Sequence, residues 1–315
     1  MDISKWRWGV NRWIVIAAAV LGFFVARVYP PVLPHIQLPA EVVAEIGSFG
    51  ITNTIIAMFI ADIIVLIVAL LVRRAISSGE LIPGGLAGAI EAFMEIVYNL
   101  TESTAGKWTK TIFPFFATIT LFVLIVNWME LVPGVDSIGL IEHAVTAEGH
   151  AVEQVTSGIA TIIDSPGEFT LVPYVRVLST DLNFTLALAL ISMTMVQVIG
   201  VRAQGARYFT KFFNVSGIFK RPIFGVIDFA VGLLELISEF SKIISFSFRL
   251  FGNIFAGSVL LFVIGTLVPA FAQSLFLLLE FFVGIIQAVV FGMLTMVFMA
   301  QATQGHAEHE EEAHA

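Results

Sequence analysis

The feature that constrains this chain most is a set of long apolar segments that hold almost no charged side chains. A membrane-spanning helix needs about 20 mostly apolar residues. Six segments approach or exceed this length: Trp13–Val28, Thr54–Val72, Ile112–Leu131, Phe184–Val201, about Pro222–Val268 and Ser274–Ala300. Hydrophobic residues make up 58% of the 315 residues and charged residues 13%, against about 25% in soluble domains. The sequence therefore predicts an all-α polytopic membrane protein with about six membrane-crossing helices.

Two further segments need a separate interpretation. Leu86–Thr104 carries Glu91, Glu95 and Glu102 among apolar residues, which predicts one amphipathic helix at the membrane surface or against other helices. The first apolar segment follows a basic start, as a signal peptide does. We favour a spanning helix there, because Arg27 and two prolines follow it in place of a small-residue cleavage site.

The basic residues predict the orientation of the chain, because cytoplasmic loops are enriched in lysine and arginine. If the N-terminus is cytoplasmic, most of the 16 basic residues fall inside: Lys5, Arg7, Arg12, Arg73, Arg74, Lys107, Lys110, Arg202, Arg207, Lys211, Lys220 and Arg221. Only Arg27 and Arg176 fall outside. We therefore expect both termini in the cytoplasm and 133–180 as the one sizeable external loop.

Composition excludes several classes of function. There is no cysteine, so disulfides and iron–sulfur clusters are excluded. The net charge of −8 argues against a nucleic-acid partner. None of the six histidines lies in a predicted span, which excludes a bundle of haem-bearing helices. We expect no cofactor and no metal site, and a solvated acidic tail over 303–315.

The run from about Pro222 to Val268 carries a polar stripe. It is roughly 70 Å long as a straight helix, so it must be tilted, bent or partly outside the hydrocarbon. Four charged residues recur every seven positions: Asp228, Glu235, Lys242 and Arg249. Glu239 lies four residues beyond Glu235, and Asn253 lies four residues beyond Arg249. Seven residues are close to two helical turns, so all six share one face.

The last apolar segment shows the same spacing in Gln273, Glu280 and Gln287. An antiparallel hairpin about Pro269 would place Arg249 level with Gln287, and Ser258 level with Glu280. Charges inside a membrane mark an ion path or a partner in most cases. The alternative is a structural ion pair or hydrogen bonding between helices.

Several motifs together resemble one family. They are "RLFGNIFAG" at 249–257, "GIIQAVVFGMLTMVF" at 284–298, "PGGLAGAIEAFMEIV" at 83–97, "NWMELVPG" at 127–134, "TDLNFTLALAL" at 180–190 and "LLELISEFSK" at 233–242. The chain resembles subunit a of the F-type rotary ATP synthase over about 50–302, the expected proton-channel domain. Residues 1–49, with an extra membrane helix and an external linker, and the His-rich acidic cytoplasmic tail 303–315 fall outside the resemblance.

The resemblance implies a non-catalytic stator subunit in a bacterial plasma (inner) membrane. Its partners would be the c-subunit ring, the peripheral-stalk b subunits, the remaining synthase subunits and membrane lipid. In this family protons pass through two offset half-channels. Arg249 matches the essential arginine, which drives deprotonation of the ring carboxylate and stops protons from passing directly between the half-channels.

The residues assigned to each half-channel follow from the resemblance and from their position along the predicted helices. The external path would contain Glu280, Ser258, Asn253, Gln287, Asp181, Asn183, Asn127 and Glu130. The cytoplasmic path would contain Glu235, Glu239, Ser238 and Lys242. Asp181 and Asn183 serve equally well as caps of the following helix. Some family members carry glutamate in place of Ser258 and histidine in place of Glu280.

The class that competes with this assignment is an ion-coupled secondary transporter, where intramembrane charges also mark substrate paths. No inverted repeat typical of that class is evident. The choice between H⁺ and Na⁺ stays open, with H⁺ as the default, because the ring carries the selective site. The ring size and the main direction of the reaction also stay open.

Overall fold

The computed structural model describes residues 39–77, 85–143, 149–156, 159–212, 222–267 and 271–304, and most residues from 12 to 24. The described residues between 12 and 24 are helical. The rest of the predicted first crossing lies outside the described residues, as do the tail from residue 305 onward and the side chain of Asp228.

Six long helices follow in chain order: α1 (Asn53–Ser77), α2 (Gly85–Ala105), α3 (Thr109–Trp128), α4 (Leu182–Gln204), α5 (Pro222–Leu267) and α6 (Phe271–Thr303). Short 3₁₀ turns flank them at Gly106–Trp108, Met129–Leu131, Leu178–Thr180 and Gly205–Lys211. Within the described residues, 5 helical stretches are long and apolar enough to cross a membrane, and α2 and α3 belong to one of them, Ala87–Leu131. The prediction of a mostly helical polytopic membrane protein is confirmed.

A small β-structured region was not predicted. The strands are β1 (Val42–Ile46), β2 (Phe49–Thr52), β3 (Pro133–Asp136), β4 (Gly139–His143), β5 (Gly149–Thr156), β6 (Ile159–Gly167) and β7 (Phe169–Pro173). The first two pair as a hairpin, and four others form an antiparallel sheet in the order β4-β7-β5-β6. Gly139 faces the backbone of Val172 so closely that a Cβ atom would not fit. The segment expected to be an external loop therefore contains a sheet.

The first of two compact units comprises Met1–Ala57, Trp128–Thr180 and Ile254–Gly284. Asn53, at the start of α1, is fully buried and forms two hydrogen bonds with Glu41, the residue before β1. Its Oδ1 accepts from Glu41 N at 3.3 Å, and its backbone N–H donates to Glu41 O at 3.0 Å. Asp136 ends β3 with a positive φ of 62° and donates its N–H to Val175 O at 3.1 Å. All the strands of the described residues lie in this unit.

The second unit comprises Met58–Asn127, Asp181–Asn253 and Ile285–Ala315. Its core is formed by α2, α3, α4, the 3₁₀ turn after α4 and the end of α6, with Phe116, Tyr208, Met296 and Met299 among the largest buried side chains. Gly292 lies against Thr120 with no room for a Cβ atom, so α3 and α6 approach closely. Many apolar side chains outside this core are exposed, as a lipid-facing surface requires.

Helix α2 has the amphipathic pattern that the sequence predicts. Glu91, Glu95 and Glu102 are exposed, whereas Val97 and Ala105 are buried and belong to the core of the second unit. The packing of the apolar face explains why the helix forms despite three acidic residues. A position at the membrane surface stays a prediction.

Helices α5 and α6 pair with the register that the sequence predicts. A Cβ atom at Gly257 would meet the Glu280 carboxylate, and one at Gly265 would lie 3.2 Å from Gln273 Nε2. In the second unit, the rings of Phe246 and Phe291 are 5.1 Å apart. The members of each pair are about equally far from Pro269 along the chain. Helix α5 has 46 residues, or roughly 70 Å, so it exceeds the ~30 Å hydrocarbon core.

Candidate functional site

The first unit brings together two glutamates and a serine that the sequence analysis selected. Glu130 lies in the 3₁₀ turn that follows α3, and the hydroxyl of Ser258 on α5 donates a hydrogen bond to Glu130 Oε1. Ser258 is 7% exposed. A buried hydroxyl needs such a partner, because an unsatisfied polar group in apolar surroundings costs free energy. The contact fixes the position of the Glu130 carboxylate.

The third member of this group is Glu280 of α6, which is 6% exposed. Its carboxylate lies against the backbone of Gly257, the residue before Ser258. Its Oε2 has no hydrogen-bond partner among the described residues. Such a buried oxygen is normally satisfied by water, an ion or a proton. The group therefore has the chemistry of a site that receives a cation.

An aromatic contact positions the two glutamates. The rings of Trp128 and Phe281 stack with centroids 4.9 Å apart at 11°, and Trp128 Nε1 donates to Phe281 O at 3.3 Å. Trp128 precedes Glu130 by two residues, and Phe281 follows Glu280 directly. Stacked aromatic pairs contribute about 0.5–1.5 kcal/mol beyond burial. The contact holds the end of α3 against α6 beside both carboxylates.

Asp136 is a further acidic group of this unit that the sequence analysis did not select. It lies in the strand region, outside the candidate spans. Burial raises the pKa of the Asp136 carboxyl to about 6, and the nearby Arg176 guanidinium partly opposes that rise. Its charge also acts on Glu130. An acid with this pKa exchanges protons near neutral pH.

The second unit contains a separate charged cluster, which we call the lysine–glutamate cluster: Lys211, Glu235, Glu239 and Lys242. Lys211 Nζ lies 3.1 Å from Glu235 Oε1 and 2.9 Å from Glu239 Oε1. Lys242 Nζ lies 3.2 Å from Glu239 Oε1. Two positive and two negative charges balance, which lowers the cost of burying them. The cluster lines a cavity of about 240 Å³ together with residues of α4 and α6.

A hydrogen-bonded chain completes the coordination of Glu239. Gln197 Nε2 donates to Glu239 Oε2 at 3.1 Å, and Tyr208 OH donates to Gln197 Oε1 at 2.7 Å. Both oxygens of Glu239 thus accept donors, and its side chain is 10% exposed against 36% for Glu235. Glu239 is therefore held in place, whereas Glu235 keeps open access.

Lys211, Gln197 and Tyr208 were not predicted as site residues from the sequence. Lys211 was counted only as a basic residue that sets orientation. Gln197 is an amide within the predicted span Phe184–Val201, which is a signal that could have selected it. Tyr208 gave no signal, because its role depends on a contact that folding creates.

Arg249 is exposed on α5. Its guanidinium carbon lies 6.0 Å from the centroid of the Phe246 ring, which is a weak cation–π contact. No described carboxylate forms an ion pair with it. Two neighbouring apolar side chains of α5, Phe248 and Ile244, are also 54% and 57% exposed. A permanent charge on such a surface requires a partner or water.

The remaining predicted site residues are placed as follows. Asp181 is the N-cap of α4 and accepts a hydrogen bond from Asn183 N at 2.9 Å, so the capping alternative holds for its side chain. Asn183 and Asn253 are exposed, Gln287 and Ser238 are half-buried, and Asn127 is 3% exposed in the last turn of α3. Among the described residues, no group of three His, Cys, Asp or Glu could hold a metal ion.

Apolar helices of membrane-spanning length, with charged and amide groups on their buried and exposed faces, define a multi-pass membrane protein. A family model described as ATP synthase A chain matches residues 55–300, most of the sequence. The chain therefore belongs to the ATP synthase A chain family.

Individual relatives agree with this assignment. A protein of Mycobacterium bovis named ATP synthase subunit a is 29% identical over 269 residues, covering 82% of this chain and 89% of the relative. A protein of the same name from Moorella thermoacetica is 26% identical over 274 residues, covering 87% and 100%. One from Campylobacter jejuni is 29% identical over 261 residues, covering 81% and 94%.

Proposed function

We propose that this chain is the stationary proton-channel subunit of a rotary ATP synthase in a bacterial plasma membrane, with both termini in the cytoplasm. Family membership supports the assignment to the membrane sector. The proposed partners are the c-subunit ring, the peripheral-stalk b subunits and the other synthase subunits. The chain itself performs no bond chemistry: it guides protons and separates their two routes.

The observation that carries the proposal is the exposed guanidinium of Arg249 on the polar stripe of α5, where no described carboxylate forms an ion pair with it. Arginine stays charged even when it is desolvated. A fixed cation favours the ionised form of a carboxylate that moves past it. A ring carboxylate arriving protonated would therefore release its proton near Arg249. The same charge would repel protons and keep the two routes separate.

The proposed external route passes Glu130, Ser258 and Glu280. The contact between Ser258 and Glu130, and the unpartnered Oε2 of Glu280 among the described residues, support this route. The other residues proposed along it are Asn127, Asp181, Asn183, Asn253 and Gln287. A proton entering here would pass between carboxylates by way of water or the Ser258 hydroxyl.

The proposed cytoplasmic route is lined by Glu235, Ser238, Glu239 and Lys242, beside the cavity of about 240 Å³. Glu235 is the more open of the two glutamates, so it is the better candidate to exchange protons with water. Glu239, with donors on both oxygens, would hold the wall of the route in position.

The test is Arg249→Ala in the assembled complex, with Arg249→Lys beside it. We expect both variants to assemble, because the Arg249 side chain is exposed. ATP-driven proton pumping in membrane vesicles should be lost in the alanine variant, and passive proton leak should rise. Synthesis at a near wild-type rate in an assembled Arg249→Ala complex would refute the proposed role of Arg249. A chain that purifies alone or only with copies of itself would favour the secondary-transporter alternative.

A further inference from the structure

Asp62 is an acidic residue that the proposed function does not use, and it lies in the middle of a membrane-spanning helix. The span of α1 covers Asn53–Arg74, and the only other charged side chains in it are Arg73 and Arg74 at its end. Nine residues separate Asp62 from Asn53, about 14 Å along the helix axis. This is close to the centre of a hydrocarbon core about 30 Å thick.

The described part of the chain leaves Asp62 uncovered. Its side chain is exposed, and Phe59, Ile63 and Leu66 around it are 60%, 56% and 59% exposed. Only 11% of the most apolar 18-residue stretch of α1 is buried, which is the lowest share among the five described spans. No described residue forms an ion pair or hydrogen bond with Asp62. An aspartate side chain is too short to reach the interface from this depth, unlike lysine or arginine.

Lipid is a poor neighbour for this face, because an aspartate at the centre of a membrane helix is costly unless it is paired. The N-terminal apolar segment of the same chain cannot supply the partner. Its residues 14–26, "IVIAAAVLGFFVA", contain no hydrogen-bond donor in any side chain. A second copy packed through the same face would bring two Asp62 carboxylates together, and like charges repel. The partner must therefore come from a different chain.

We propose that the face of α1 formed by Phe59, Asp62, Ile63 and Leu66 binds a membrane-spanning helix of another subunit, and that this helix presents a lysine or arginine at the depth of Asp62. The apolar side chains would supply packing, and the ion pair would fix the depth and rotation of the partner helix. The inference rests on the proposed function only in requiring a second membrane subunit.

The test uses the complete complex in its native membrane. A photo-crosslinking amino acid replaces Leu66, which lies on the same face as Asp62. The matched control carries it in place of Leu71, which lies on the opposite face and is 46% exposed. We expect Leu66, but not Leu71, to give an adduct with one other membrane subunit, at a helix that carries a lysine or arginine. Asp62→Leu should lower the adduct at least fivefold. Exchanging the charges, with Asp62→Lys and the partner's basic residue changed to Asp, should restore it to within twofold.

Several outcomes would overturn the proposal. One is an adduct at Leu66 with lipid alone, with residues 1–38 of the same chain or with a second copy. Another is an adduct with another subunit whose yield Asp62→Leu leaves unchanged. A variant Asp62→Leu that raises thermal stability and keeps every subunit bound would also overturn it, since a lipid-facing aspartate predicts that result. The outcome is independent of Arg249→Ala: normal pumping in that variant removes the proposed function but leaves an Asp62-dependent adduct standing.

Discussion

The carboxylate of Glu280 on α6 occupies the space beside Gly257 on α5 where a Cβ atom would otherwise lie. Glycine at this position lets the two helices approach and lets a buried acid reach the surface of the neighbouring helix. The next residue, Ser258, holds Glu130. Consecutive residues of α5 thus position both Glu280 and Glu130.

The substitution Gly257→Ala tests this relationship. The added methyl group would push the Glu280 carboxylate aside, and because that carboxylate is the end of a flexible side chain, the fold should survive. We expect assembled complex at near wild-type yield but at least a fivefold loss of ATP-driven proton pumping. Gly265→Ala on the same helix, which meets only the end of Gln273, should pump normally. Equal pumping by the two variants would contradict a role for the position of Glu280.

A second prediction concerns the carboxylate of Glu280. Glu280→Gln keeps size and hydrogen bonding but cannot carry a proton, so pumping should fall at least tenfold. Adding Ser258→Glu places a carboxylate on the facing helix and should restore part of the flow, limited by repulsion from Glu130. Vesicle pumping assays would measure both. Normal pumping by the single variant would leave Glu280 as a packing residue, and absence of rescue would remove the argument from facing positions.

The lysine–glutamate cluster predicts a rescue by paired neutralisation. Lys211→Met or Glu239→Gln alone leaves an uncompensated charge, which costs about 3–5 kcal/mol at a fully buried site and less here, where Lys211 is 18% exposed. We expect each single variant to lower the yield of assembled complex. The double variant retains one lysine and one glutamate and should recover to within about twofold, in yield and in pumping.

Lys110→Met, at an exposed lysine of α3, is the control for losing a positive charge and should have no effect. If the double variant assembles but pumps no better than Glu239→Gln, then Glu239 itself carries protons and does not only fix the position of the residues that line the cytoplasmic route.

Asp136 predicts a pH dependence of stability. Because burial raises its pKa to about 6 from 3.8, the folded state binds this proton more tightly than the unfolded state. Stability from this group is therefore present below pH 3.8 and is lost as pH rises to about 6, by up to about 3 kcal/mol. Asp136→Asn should flatten thermal stability over pH 4–6.5, with Arg176 and Glu130 kept unchanged. An identical pH profile in the variant would rule out this carboxyl as the cause.

The helices could be predicted because their signals are local. Apolar runs located α1 and α3–α6, with α5 matching almost to the residue, and the seven-residue spacing about Pro269 predicted the register that Gly257 and Glu280 show. The sheet at 139–173 was missed because its short strands mix apolar, acidic and glycine residues. Hydropathy averaged over the length of a membrane span does not detect such strands. Gln197, Tyr208 and Lys211 were missed because they reach Glu239 only through tertiary contacts. The raised pKa of Asp136 depends on burial, which sequence alone does not reveal.

The unbroken length of α5 has a consequence for how this chain tolerates insertions and deletions. Glu239, Arg249 and Ser258 lie on one helix with no proline after its first residue, so the rotation of each about the axis depends on the number of residues between them. One inserted residue would turn everything beyond it by about 100°, and a whole heptad by only about 20°. A heptad still moves every residue beyond it by about 10 Å along the axis, which would separate Gly257 from Glu280. The rotation and the depth of these side chains therefore both depend on an unchanged length of 222–267.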